Sequence, residues 1–146
     1  MAGNRMRTAA AVVPGLLWLA LSAAGQSQET YKGRLFCVPS DTTTRAEITG
    51  TGSTSAVLSG TKLSITGSFE GLHTAATSAR LGQGLVTGVT GSTIADLTVT
   101  KAVSGMVSGS VDLTPEQVES LRKGKLYIQI YSEKAPDGNL RAWLLR

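Results

Sequence analysis

The residues able to do covalent, acid–base or metal chemistry are few. His73 is the sole histidine and Cys37 the sole cysteine. A zinc or copper site gathers several imidazole or thiolate ligands, and this chain offers one of each, 36 residues apart. His73 lies in "EGLHTAAT", a loop-like stretch, and reads as a solvent-facing side chain rather than a general base. Glu116 and Glu119 share one face of a short helix. Acidic groups in a first turn complement the helix macrodipole, and that suffices to explain them. The sequence has no C-x-x-C, no nucleophile elbow, no phosphate loop and no dinucleotide fingerprint. The expectation is no catalytic residue, no cofactor and no metal.

What remains is contact chemistry. In "KLYIQIYSEKAPDGNLRAWLL" the residues Leu126, Ile128 and Ile130 fall on one face, matched by Leu140, Ala142 and Leu144 across a turn placed at "KAPDGN". Pro136, Asp137 and Gly138 supply a preset φ, a side-chain acceptor and a residue tolerant of positive φ. Tyr127, Gln129 and Tyr131 point the other way, with Arg141, Trp143 and Leu145. Such an aromatic second face is either covered by the rest of the chain or forms a binding patch. Because interface hot spots favour Tyr, Trp and Arg, the expected partner contacts are Tyr127, Tyr131, Arg141 and Trp143.

The elements that would position these groups are mostly strands. In "TKLSITGSFEGL", Leu63, Ile65, Gly67 and Phe69 alternate with Lys62, Ser64, Thr66 and Ser68. That is the pattern of an antiparallel strand with one wet face. "AEITGTGSTSAVLSG" precedes it across a two-residue turn at "SGTK". "TIADLTVTKAVSGMVSGSVDL" gives two more strands, with Ile94, Leu97 and Val99 in one and Met106, Val107 and Val111 in the other. With "YKGRLFCV" and the final hairpin this makes about seven strands, the signature of a β-sandwich or barrel. Cys37, inside the apolar "RLFCVP", is expected to be a buried, inert thiol.

One helix interrupts the strands, near residues 115–123. Thr114 can N-cap it, Pro115 suits the first position and Gln117 completes a capping box. Leu113 and Val118 have the spacing of a hydrophobic staple, and Gly124 can end the helix in a left-handed cap. About two turns cannot survive alone, so the helix must dock through Val118 and Leu121. It reads as a crossover plugging one end of the sandwich.

The first 25 residues carry a different signal. Arg5 and Arg7 form a basic start, and residues 8–21 are an uncharged run of 14. The small residues Ser22, Ala23, Ala24 and Gly25 follow. This is the order of a secretory signal peptide. As a membrane anchor the run would be short of the roughly 20 residues a spanning helix needs, and Pro14 interrupts it. The organisation expected is a signal peptide over 1–25 and one domain over 26–146, exported and periplasmic or secreted, with no stable membrane span after cleavage. The net charge of +4 drops to +2 once Arg5 and Arg7 are removed, since all ten acidic residues lie beyond Gly25. No basic footprint for nucleic acid remains.

The closing stretch "LTPEQVESLRKGKLYIQIYSEKAPDGNLRAWLL" resembles the end of the CHRD (chordin-type) domain, a module also widespread in bacterial exported proteins. Leu113, Thr114 and Gln117 fit its Leu-Thr-x-x-Gln helix. Gly124, Lys125, Leu126 and Tyr127 fit its "GKLYVNVHT" type strand, and Pro136, Gly138 and Arg141 its "P-x-G-E-I-R-G" type return. Earlier, "LSITGSFEGLHTAATSARLGQG" is similar to the family's strand and following "A-H-I-H" segment. The resemblance implies an immunoglobulin-like antiparallel β-barrel and the exported single-domain type. It implies no defined enzymatic activity. Arg80 and Gly82 stand where the family often carries histidines, as does Tyr131 in the later strand. Arg80 joins the expected contacts on this alignment alone. Two functions follow: a non-catalytic exported module that binds another exported protein or has a structural role, and, as the alternative, an accessory redox- or metal-associated periplasmic protein lacking the family's usual histidines.

Overall fold

The computed structural model describes residues 27–146; the expected signal peptide lies outside them. Eight antiparallel strands run β1 (Gln28–Cys37), β2 (Thr51–Ser59), β3 (Lys62–Glu70), β4 (Ala76–Gln83), β5 (Ser92–Val99), β6 (Gly105–Asp112), β7 (Leu126–Ser132) and β8 (Ala135–Trp143), with the helix α1 (Pro115–Arg122) between β6 and β7. They close into a barrel in the order β1-β2-β3-β6-β5-β4-β7-β8. No helix among the described residues is long and apolar enough to cross a membrane.

The all-β fold and its single helix agree with the alternation read from the sequence; the strand count rises from about seven to eight. The additional strand is β4, "ATSARLGQ". Its inward residues Ala76, Ala79 and Leu81 are mostly small, and its register shifts between Leu81 and Gly82. Small residues and a bulge blur the period of two that marks a strand. On the partner strand the same irregularity lets Ile94 pack against the core that also takes Leu97 and Val99.

Closure comes from two strands that change sheets. β1 pairs with β2 from Gln28 to Leu35, then with β8 at Phe36 and Cys37. β5 pairs with β4 over most of its length and reaches β6 only at Thr98 and Val99. Strands that switch sheets make the corners of a sandwich. Between the two sheets lies one continuous core with Tyr31, Leu35, Leu58, Leu63, Ile65, Leu81, Ile128, Ile130, Leu140 and Leu144 fully buried.

α1 forms as its sequence dictates. The Gln117 amide donates to the Thr114 hydroxyl at 3.2 Å, and the Thr114 amide donates to the Gln117 side chain at 2.9 Å. Gly124 follows at φ 75°. Val118 and Leu121 are buried in the core with Leu113, each worth roughly 1.5–3 kcal/mol of burial, which offsets the helix's short length. The Leu113 amide donates to Thr61 in the β2–β3 turn, and Arg122 pairs with Glu29 at the start of β1. The helix therefore covers the barrel end at which those elements meet.

Two expectations are corrected. The β7–β8 turn is not at 134–139 but at Glu133–Lys134, because Ser132 pairs with Ala135. From there to the Ile130–Leu140 pair β7 advances two residues and β8 five, so Pro136, Asp137 and Gly138 form an enlarged bulge. Pro136 has no amide to give a ladder, and Gly138 sits at φ 131°. Cys37 is exposed rather than buried. Its parity is that of Leu35, but β1 ends there, and the loop 38–50 runs beside it. The thiol lies 3.6 Å from the carbonyl oxygens of Ile48 and Gly50.

Candidate contact face

All five expected contact residues fall on the outer face of the sheet formed by β4, β7, β8 and the end of β1. Antiparallel register places Arg80 beside Gln129, Gln129 beside Arg141, and Arg141 beside Phe36. One row further along are Gly82, Tyr127 and Trp143. Directly opposed residues on neighbouring strands are the pairs that interact across a sheet.

The rows differ in exposure. Tyr127 is only 7% exposed. Its ring tilts against Trp143 at 4.9 Å between centroids, and its hydroxyl lies 3.4 Å from the Gly91 amide, close enough to accept from it. Gly82 leaves the space the ring fills: a Cβ there would lie 2.4 Å from it. Tyr127 thus braces Trp143 from behind and presents little surface of its own. Gln129 is buried beside it. The Arg141 Nε–H donates to the Gln129 side-chain oxygen at 2.6 Å, and the Gln129 amide group donates to the Asp137 carbonyl at 3.2 Å. The Arg141 guanidinium also lies over the Tyr127 ring. Its burial lowers its pKa, partly offset by Tyr127 and Tyr131.

Tyr131 and Arg80 form a separate pair. The guanidinium lies 5.2 Å from the Tyr131 ring centroid and 3.3 Å from the Asp96 carboxylate. Arg80 is thereby held over an aromatic face by an exposed acid. The outer face of β7 is consequently covered, by the long side chains of its own neighbours, while Arg141 and Trp143 remain half-buried.

Beside them is surface that the sequence reading did not assign to any site. Phe36 is 61% exposed, with the Arg34 guanidinium 5.8 Å from its ring centroid. Leu145 is 46% exposed next to Lys32, its backbone paired with that residue in both directions. A signal for Phe36 was present: if Tyr31, Gly33 and Leu35 face in, Phe36 must face out.

The remaining titratable groups sit elsewhere. His73 and Glu47 pair at 3.2 Å at the barrel end opposite α1, both partly exposed. Asp41 accepts from the hydroxyls and amides of Thr43 and Thr44, which hold its pKa down to about 2. Glu29 is held at about 2, first by the Arg122 hydrogen bonds and then by Tyr31. Among the described residues, no three of His, Cys, Asp and Glu come together as a metal site.

The CHRD domain family model matches residues 25–144. The chain belongs to the CHRD domain family. Neither a curated protein nor a solved structure matches it. In this CHRD domain Arg80, Gly82 and Tyr131, the residues that the sequence resemblance sets against histidines, all lie on this outer sheet face. Arg80 and Tyr131 make their cation–π pair there, and Gly82 receives the Tyr127 ring.

Proposed function

We propose that this CHRD domain is an exported, non-catalytic module that binds another exported protein through the outer face of β8 and the end of β1. The observation that carries this reading is the preorganisation of Trp143 and Arg141. Tyr127 and Gln129 fix them from behind, and the exposed Phe36 and Leu145 flank them. Aromatic and arginine side chains with their rotamers already set lose little entropy on binding. The acid–base groups support a non-catalytic reading: the depressed pKa values of Glu29 and Asp41 come from an ion pair and from a loop's own hydrogen bonds.

The test is affinity capture with the tagged full chain against the exported proteins of its own cell, read by mass spectrometry. A single stoichiometric partner, lost in both Trp143→Ala and Phe36→Ser, is the expected result. Phe36 is exposed, so its replacement leaves folding intact if Trp143→Ala does not. A stoichiometric partner retained by both variants would overturn the assignment of the face.

A further inference from the structure

A groove of about 320 Å³ runs between β1 and β8, lined by Lys32, Arg34, Arg141, Phe36, Trp143 and Leu145. We infer that it takes an acidic, leucine-type apolar segment of a partner protein in extended conformation, an inference that rests on the binding-module reading above.

Charge gives the first argument. Three cations line the groove and no carboxylate does. Four other basic side chains of the described residues pair with carboxylates: Arg80, Arg122, Arg146 and His73. Lys32, Arg34 and Arg141 make no such pair, as is true of six other basic side chains of the described residues, but these three converge on one groove. Arg141 donates a hydrogen bond only through Nε, to Gln129, while its guanidinium lies over the Tyr127 ring, so its two terminal nitrogens are available for a bidentate carboxylate contact.

Apolar surface gives the second. Among the described residues, five of the seven exposed large hydrophobic ones are Phe36, Leu145, Leu85, Val86 and Val89. The last three ride on the β4–β5 loop, which meets the groove at two points. Gly84 abuts the Trp143 ring and Thr87 lines the groove, while the Thr87 hydroxyl ties the loop to the turn ahead of β7 by donating to the Gly124 carbonyl at 2.7 Å. Val86 and Val89 bridge to each other and Gly88 turns at φ 94°, so the loop presents its aliphatic side chains in a fixed hairpin.

Together these features select the occupant. An acidic glycan answers the cations but brings no side chains for Leu85, Val86 and Val89. A second copy in an isologous contact would set the same cations against each other. A bilayer is flat, whereas Trp143 lies in a concavity. From Lys32 to Phe36 the groove follows four residue steps of β1, about 13 Å, which suits a short extended segment.

The experiment uses the full chain carrying Trp18→Phe, which leaves Trp143 as the sole indole, and reads its fluorescence. The probes are a synthetic peptide of alternating Glu and Leu, the same peptide with Lys for Glu, polygalacturonate, and phosphatidylglycerol vesicles. The expected result is a saturable emission change with the Glu/Leu peptide alone, weakened at least about tenfold by Lys32→Glu with Arg34→Glu and by high salt. Both substituted residues are exposed, so the fold survives the change. Equal binding of the Lys/Leu peptide, or a response to polygalacturonate or vesicles with the Glu/Leu peptide silent, would overturn the inference. If the peptide is silent while the affinity capture still yields a Trp143-dependent partner, the acidic segment fails and the binding module stands.

Discussion

At the residue scale, the proposed contact face depends on a glycine as much as on its aromatic side chains. Gly82 makes room for Tyr127, and Tyr127 positions Trp143. Replacing Gly82 with Ala puts a methyl group against a ring that is packed on its other side by Trp143 and Arg141. Overpacking of this kind costs roughly 1–3 kcal/mol. Gly82→Ala is expected to lower the melting temperature by several degrees and shift Trp143 emission. A variant with unchanged stability and spectrum would show that the ring is free to move. Glu29 makes a second prediction. Its carboxylate binds Arg122 through two nitrogens, and Arg146 pairs with it as well. Its folded pKa of about 2 lies below the unfolded value near 4.5. The stabilisation is therefore fully present above pH 4.5 and is lost as pH falls towards 2. Glu29→Gln is expected to melt a few degrees below the parent at pH 7, with the gap closing by about pH 2 in thermal scans. A gap independent of pH would mean that the carboxylate's charge is not what matters.

At the scale of elements, α1 links both halves of the barrel end that it covers. Its capping box satisfies two backbone donors that would otherwise be orphaned. Thr114→Ala is expected to cost about 1 kcal/mol, seen as a lower denaturant midpoint at unchanged slope. A changed slope would instead point to loss of the whole helix from the native state. The β7–β8 bulge acts at the same scale. It lets Asn139 turn inward, where its side-chain amide donates to the Ser132 hydroxyl at 2.9 Å. It also places the Asp137 carbonyl to accept from Gln129, the residue that fixes Arg141.

At the scale of the molecule, the barrel is strong along its sheets and weak at two seams. β2, β3 and β6 are paired over their full lengths. β5 meets β6 at only two positions, as β1 meets β8 apart from the Lys32–Leu145 bridge. Amide protection follows such differences in local hydrogen bonding and burial. Backbone amides of Val99 and Ser108 at the β5–β6 seam are expected to exchange faster than those of Ile65 and Val57 in native-state hydrogen exchange. Uniform protection would mean that the seams open only with the whole barrel. The proposed partner groove lies along the other seam, where β1 leaves one sheet for the other.

Local chemistry made much of this protein readable in advance. Period-two alternation specified β3 residue by residue, and Thr114, Pro115, Gln117 and Gly124 specified α1, because each depends only on near neighbours in the chain. The outward face of Tyr127, Tyr131, Arg141 and Trp143 followed from the same alternation. Tertiary structure decided what that alternation could not. β4 became a strand because β5 and β7 flank it, although its own residues are small and its register is broken. Tyr127 became buried because Gly82, from a different strand, yields the space. Cys37 became exposed because β1 ends at the barrel rim. Phe36 and Lys32 came beside Arg141 and Leu145 only when β1 crossed to pair with β8, a long-range closure that no local pattern encodes.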